Sequence, residues 1–367
     1  MQFTLKTRLL LVSLGAVLLT VAALVSLSSS FIRENAMQRT QHEVDQLATT
    51  FASGIGLWMY DRQQAVSSLK GTLQRHPEIN ITPFLRQVHE ASGFALTYYG
   101  DEQGNMYRQD PNLNTAGYDP RVRPWYQDAK REGAMIMTAP YVSATLQKLV
   151  VTIAEPVMNS GRLQGVAAAN LTIDQLTDAV RTLKVPGDGY AVMLERSGLI
   201  ISHPDKELNG QQFSRLGSAF NPQWLSARIS ANTLDEMAFD GSSKLFYVAA
   251  VPHTDWALMF VMDKASIMAE ATELAWWMSA VGVLFLVGFG LLLVLVFKSQ
   301  FRDLERLAKA LNDIAEGEGD LTVRIETRNQ HDEIGMLAAG FNRFVERLHG
   351  MISRMSDIAQ QLGGQAQ

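Results

Sequence analysis

The sequence predicts an α+β domain of two modules, set between two membrane-spanning helices and followed by a helical segment that needs helical partners. Three observations predict it. Two long runs carry no charge, strand–strand–helix patterns occur twice between them, and apolar residues alternate at spacings of three and four after the second run. Composition excludes several function classes. The 367 residues include no cysteine, which removes disulfides, cysteine-ligated metals and thiol nucleophiles. The net charge of -5 gives no large basic surface for nucleic acid. The seven histidines are scattered without metal-ligand spacing, and neither a metal nor a cofactor is implied.

The first apolar run, Leu9 to Leu27, has no charge between Arg8 and Arg33; the second, Leu274 to Phe297, has none between Glu273 and Lys298. A helix needs ~20 apolar residues to cross a bilayer core. A charge at its centre costs at least ~2.5 kcal/mol. Both runs therefore read as spans, at 9–29 and 274–297. A cleaved signal peptide is the alternative for the first, but the run exceeds the usual apolar region and Ser28-Ser29-Ser30-Phe31 is a poor cleavage site. Lys6 and Arg8 precede the first span and Lys298 and Arg302 follow the second, whereas Arg33, Glu34, Glu270 and Glu273 flank the other ends. Positive flanks stay in the cytoplasm. Residues 1–8 and the C-terminal segment are thus expected inside and 30–273 outside, with Trp276 and Trp277 at the outer interface.

The outer segment opens on a helical pattern from Arg33 to about Leu73, where Met37, Val44, Leu47, Phe51 and Ile55 fall on one stripe. Ala95 to Tyr99, the turn Gly100 to Asn105, and Met106 to Arg108 read as a hairpin. Strands are expected at Lys148–Ile153 and Val166–Ile173, linked through Asn159-Ser160-Gly161, and then a helix from Asp174 to Leu183. A second set follows. Tyr190–Leu194 and Leu199–Ser202 flank Arg196-Ser197-Gly198, and Lys244–Val251 pairs with Trp256–Met262 across Pro252 to Asp255. The modules are expected at about 75–183 and 186–263, parting near Val185-Pro186-Gly187, and a helix at Lys264–Glu273 leads to the second span.

The string Tyr118-Asp119-Pro120-Arg121-Val122-Arg123-Pro124-Trp125-Tyr126, followed by Thr138-Ala139-Pro140-Tyr141, resembles the membrane-distal ligand site of double Cache sensor domains. Gly241 with Trp256-Ala257-Leu258 is similar to the end of their membrane-proximal module. The resemblance covers essentially the whole outer segment and implies two PAS-like modules on a long N-terminal helix. It implies a ligand site at Tyr118, Arg123, Trp125, Tyr126, Tyr141, Ser143 and Asn170.

Residue chemistry fits that site. The Arg123 guanidinium suits a carboxylate, Trp125 and Tyr126 offer apolar walls, and Tyr118 and Tyr141 add hydroxyls. The plainer alternative is an internal ion pair for Arg123 and core roles for the aromatics. Amino-acid-sensing members of the family pair the Arg with two Asp residues that hold the ligand ammonium; here those positions are Ser143 and Asn170. A buried ammonium without counter-charge costs several kcal/mol. The expected ligand is therefore a small carboxylate or another polar metabolite, not an ordinary amino acid. His203 and Asp205 form a rival site in the proximal module, although such residues more often cap turns.

After the second span, Leu304, Leu307, Leu311 and Ile314 are followed by Glu316-Gly317-Glu318-Gly319-Asp320-Leu321-Thr322. Then Ile334, Leu337, Phe341, Phe344, Leu348, Met351, Met355 and Ile358 alternate at three and four. Such heptads demand helical partners. Asp332 is placed to cap the second helix. The Glu-Gly-Asp-Leu-Thr connector and Asp332-Glu333-Ile334-Gly335 resemble a HAMP domain, expected over 298–352 with a signalling coiled coil starting at 353–367. Asp303 stands near where many HAMP domains have proline. HAMP implies a homodimeric four-helix bundle, to which the outer long helix would add contacts; a solitary helical hairpin would leave both seams unpartnered.

Phe341-Asn342-Arg343-Phe344-Val345 is similar to methyl-accepting chemotaxis receptors just after HAMP. That resemblance implies a two-pass inner-membrane receptor, not an enzyme, with a periplasmic sensor. The methylatable helices and kinase-binding tip are not in the sequence, so a chemotaxis kinase and adaptor would be reached only through a missing tip. The alternatives are the sensor half of a histidine kinase or diguanylate cyclase, or a ligand-binding chain without output.

Overall fold

The computed structural model describes residues 4–316, 324–325 and 333–364. Two compact units result: residues 33–272, and residues 1–32 with 273–367. In chain order the elements begin with α1 (Leu5–Arg75), α2 (Thr82–Ser92), β1 (Leu96–Asp101), β2 (Met106–Arg108) and α3 (Pro124–Glu132). Next come β3 (Ile136–Met137), β4 (Tyr141–Val142), β5 (Leu149–Asn159), β6 (Arg162–Thr172) and α4 (Ile173–Arg181). The second set is β7 (Tyr190–Glu195), β8 (Ile200–Ser202), α5 (Pro222–Ala231), β9 (Asp235–Phe239), β10 (Ser242–Ala250) and β11 (Trp256–Asp263). Last are α6 (Lys264–Ile267), α7 (Ala269–Ala315) and α8 (Glu333–Gly364).

Each module is built on one antiparallel sheet. The distal sheet runs β2-β1-β6-β5-β3 with β4 also on β5, and the proximal sheet runs β8-β7-β11-β10-β9. Side chains alternate across a strand, and both sheets use the alternation fully. In β10 and β11, Leu245, Tyr247, Leu258 and Phe260 face one core, whereas Phe246, Val248, Ala257 and Met259 face another. The first core is shared. Val44, Ala48, Ala52, Met59 and Val66 of α1 pack against Val151, Ile153, Ala169 and Leu171 of the distal sheet and against the proximal set. The expected α1 stripe is therefore the one that docks: Val44 is fully buried, and Met37, Leu47, Phe51 and Ile55 pack against the same core.

Polar ties reinforce the docking. Glu155 on β5 accepts from Ser67 at 2.6 Å and from Lys70 at 2.7 Å. Tyr247 on β10 donates to Asp45, and burial with Asp45 alongside pushes its phenol up. Gln63 donates to the His253 carbonyl at 3.0 Å.

Several elements differ from the sequence expectation. The strand expected at Lys148–Ile153 runs on to Asn159, and its partner begins at Arg162 rather than Val166. Pro156 lies within the longer strand. Beyond Ala154 the outer side of β5 has no partner strand among the described residues, and proline is tolerated on such an edge. The helix expected at Lys264–Glu273 is broken. Ile267 sits against Gly187 and holds α6 to the module, and Met268 leaves helical geometry at φ -86°, ψ 0° before α7 begins. Six elements were not anticipated: α2, α3, α5, β3, β4 and β9. The three helices each have proline at their first or second position, where the missing N–H is no loss.

In the other unit, α1 and α7 each contain a stretch long and apolar enough to cross a membrane, with mean hydropathy of 2.6 and 2.9 and none of the stretch buried. Val21 and Val25 lie against Gly282, and Lys6 pairs with Glu305 at 3.1 Å. Leu307 of α7 packs with Phe341 and Val345 of α8. Asn342 holds the Ile325 backbone from both sides, accepting its N–H at 2.9 Å and donating to its carbonyl at 3.0 Å. The expected connector over 317–322, the Asp332 cap and the side chains of Asp303 and Ile358 lie outside the described residues.

Candidate ligand site

The distal sheet has α1 on one face. On the other lie α3 and the loops from 109 to 148, which enclose a cavity of about 170 Å³. At ~30 Å³ per water that is room for about six waters, the scale of a small metabolite. Tyr118, Arg123, Trp125, Tyr141, Ser143 and Asn170 all line it. Tyr126 does not. It is buried beside Trp125, ring centroids 5.5 Å apart, and its hydroxyl has no partner. Burial first, with Glu102 and Asp101 adding, pushes that phenol up to about 12.

Local chemistry places these groups. Asp119 caps the turn Pro120–Val122, accepting from the Arg121 backbone at 2.9 Å, and also binds the Arg121 guanidinium at 2.9 Å. Arg121 thus consumes the nearby carboxylate. The side chain of Arg123, two residues on, is left with no hydrogen bond or ion pair among the described residues, and its buried Nε has no partner. Its guanidinium lies 4.5 Å from the Tyr118 ring centroid. The internal ion pair considered from the sequence is therefore not formed. Pro124 then starts α3 at the cavity rim, where a helix N-terminus favours negative charge.

The opposite wall is a bonded network. Asn170 Oδ1 accepts from Tyr98 Oη at 2.6 Å and from Thr152 Oγ1 at 2.8 Å. Thr152 has one hydroxyl proton, so in its 2.8 Å contact with Tyr141 the tyrosine donates. The Asn170 amide nitrogen then points to Ser143 Oγ at 3.4 Å, which also accepts from the Leu146 N–H at 3.2 Å. Ser143 accepts twice, so its own O–H is free to donate. Arg123, Ser143 and Asn170 thus present donors, and no Asp or Glu lines the cavity. Tyr98, Thr152 and Arg108 were not anticipated. Tyr98 and Arg108 sit in strands whose local sequence gives no sign of a site, and only the pairing of β1 with β6 brings Tyr98 opposite Ala168 and its hydroxyl to Asn170.

The rival pair in the proximal module does turn work. His203 Nδ1 accepts from the Asp205 N–H at 2.9 Å, and Asp205 caps Lys206–Leu208.

Two sheets docked on one long helix, with a donor-rich cavity in the distal module, make a small-molecule sensor domain. Known proteins say which kind: residues 28–271 match the Cache domain family (dCache_1) and residues 295–350 the HAMP domain, and the chain belongs to that Cache family. The methyl-accepting chemotaxis protein PctB of Pseudomonas aeruginosa is 32% identical over 353 residues, covering 93% of this chain and 53% of PctB. The chain therefore spans about half the length of the curated relatives it matches. The ligand-binding domain of the Pseudomonas fluorescens chemoreceptor CtaA in complex with L-serine is 25% identical with a TM-score of 0.54, covering 62% of this chain and 98% of that one. The ligand-binding domain of the Pseudomonas aeruginosa amino acid chemoreceptor PctC in complex with GABA is 29% identical with a TM-score of 0.51, covering 61% and 100%. A double Cache sensor followed by a HAMP region, as expected from the sequence, is what these matches show, and with the two apolar stretches of α1 and α7 the chain carries the sensor part of a membrane receptor.

Proposed function

We propose that this chain senses a small carboxylate lacking an essential ammonium, and relays occupancy through HAMP to a chemotaxis signalling domain. The observation that carries the ligand reading is the wall at Ser143 and Asn170. Where an ammonium would need acceptors, both side chains offer hydrogens, and Arg123 faces them unpartnered. In the proposed site Arg123 takes the carboxylate, Trp125, Tyr118 and Tyr141 wall the ligand, and Tyr126 supports Trp125 from behind. The cavity has no acid or histidine in its lining to serve as a base, so we read it as binding rather than turning over its ligand.

The chemotaxis output rests on the relatives. The charge flanks support both termini in the cytoplasm and residues 33–272 in the periplasm. Leu311 and Phe344, 46% and 50% exposed, line an apolar groove between α7 and α8, which supports a homodimeric HAMP bundle. Amino acids are the second reading, favoured by the L-serine and GABA complexes of the similar domains. Paired probes separate the two. With the full chain in lipid nanodiscs, calorimetry should show propionate binding more tightly than L-alanine, and butyrate more tightly than 4-aminobutyrate. Each pair differs only by the ammonium. Replacing Arg123 by Met should weaken propionate by about 1.5–3 kcal/mol, the worth of a charged hydrogen bond. L-alanine binding more tightly than propionate would overturn the carboxylate reading.

A further inference from the structure

Arg108, at the end of β2, is a second cation beside the cavity, and it is more deeply buried than Arg123. Its side chain is 1% exposed. Nη1 donates to Asn114 Oδ1 at 2.8 Å and Nη2 to Thr145 Oγ1 at 3.1 Å, both neutral acceptors. Its buried Nε has no partner. No ion pair reaches Arg108 among the described residues, and no acid contributes to its titration; burial lowers it, Tyr118 and Tyr98 oppose that, and Arg123 adds to the lowering. The Arg108 and Arg123 guanidinium carbons lie 4.7 Å and 4.5 Å from the same ring centroid, that of Tyr118. Two guanidinium groups therefore lie against one aromatic ring, and neither is ion-paired among the described residues. A buried ion without a partner is destabilising, and a monoanion on Arg123 would offset only one of the two.

Arg108 itself does not line the cavity, but Thr145 does. Thr145 Oγ1 accepts from Arg108, so its single proton is left to donate, and the adjacent cation strengthens that donation. We propose that the cavity takes a dianion, a small dicarboxylate, with one carboxylate on Arg123 and the other on the Thr145 hydroxyl backed by Arg108. Arg108 is thus a positioning residue that sets charge selectivity. This inference rests on the carboxylate reading of the same site and adds the second acidic group.

The test compares succinate with butyrate, which have the same chain length and differ by one carboxylate, on the full chain in nanodiscs. Malonate and glutarate bracket the spacing. Succinate or one of its neighbours should bind at least about tenfold more tightly than butyrate, a difference of about 1.4 kcal/mol. T145V, which exchanges the hydroxyl for a methyl, and R108Q should bring that ratio towards one by weakening succinate more than butyrate. R108K, which keeps the charge, should retain part of the preference; a merely structural Arg108 would change all probes together. If butyrate matches every dicarboxylate in the unaltered chain, the dianion inference fails and the carboxylate reading stands. If no carboxylate binds, both fail.

Discussion

The hydroxyl of Tyr98 on β1 donates to the amide oxygen of Asn170 on β6 at 2.6 Å, across neighbouring strands of the distal sheet. That bond and the one from Thr152 occupy the oxygen, and so they turn the amide hydrogens toward the cavity. A carboxylate at the same position could accept the same two bonds while adding a negative charge. The difference between a donor wall and an acceptor wall is thus one atom in Asn170, held by residues that need not change.

The double variant Ser143→Asp, Asn170→Asp should therefore exchange selectivity. Propionate affinity is expected to fall and L-alanine affinity to rise, each by about tenfold or more, since each 1.4 kcal/mol is a factor of ten. Calorimetry on the same nanodisc preparation reads both. Unchanged ranking would show that these two positions do not face the ligand.

Lys70→Met should destabilise the outer unit by about 2 kcal/mol, because it leaves the buried Glu155 carboxylate with only the Ser67 donor. Lys70 is partly exposed, which keeps the loss below that of a fully buried pair. Adding Glu155→Gln should recover part of the loss. Thermal unfolding of the two variants measures it.

His203 should make the outer unit weaken in mild acid. Its ring is held with Nδ1 accepting from Asp205, and burial pushes the imidazole below its ordinary value, opposed by the Asp205 contacts. A group with a depressed folded pKa binds its proton more readily when unfolded, so stability is complete above the ordinary value of about 6.5 and declines as pH falls below it. His203→Gln should flatten the unfolding temperature between about pH 7 and about pH 5 relative to the parent.

Asn342→Ala should loosen the segment around Ile325, since both backbone bonds of that residue go to one side chain. Two neutral hydrogen bonds are worth about 1–3 kcal/mol together. Amide exchange at Ile325 should accelerate, while ligand affinity in the outer unit holds.

Much of this was legible in the sequence because its signals are local. The charge-free runs, the α1 stripe from Met37 to Ile55 and the Arg-Pro-Trp-Tyr string each sit in one short stretch, and six of the seven expected site residues line one cavity. What was missed depends on pairing between distant strands. Nothing near Arg108 in the chain says that it ends beside Tyr118, and nothing near Tyr98 points to Asn170. The extent of β5 past Ile153 was missed for a related reason, because the free edge that tolerates Pro156 is defined only once β3 is seen to stop short of it. The prolines that open α2, α3 and α5 were readable signals, each marking a helix start in a stretch to which the sequence reading assigned no element.

The distal sheet also acts as a diaphragm one peptide thick. Along β6, Asn170 belongs to the cavity wall, whereas its immediate neighbours Ala169 and Leu171 press on the core that holds α1. A ligand that tugs on the Asn170 amide strains the same few covalent bonds that seat those two side chains. Were the cavity occupied, one stretch of backbone would answer on both faces of the sheet.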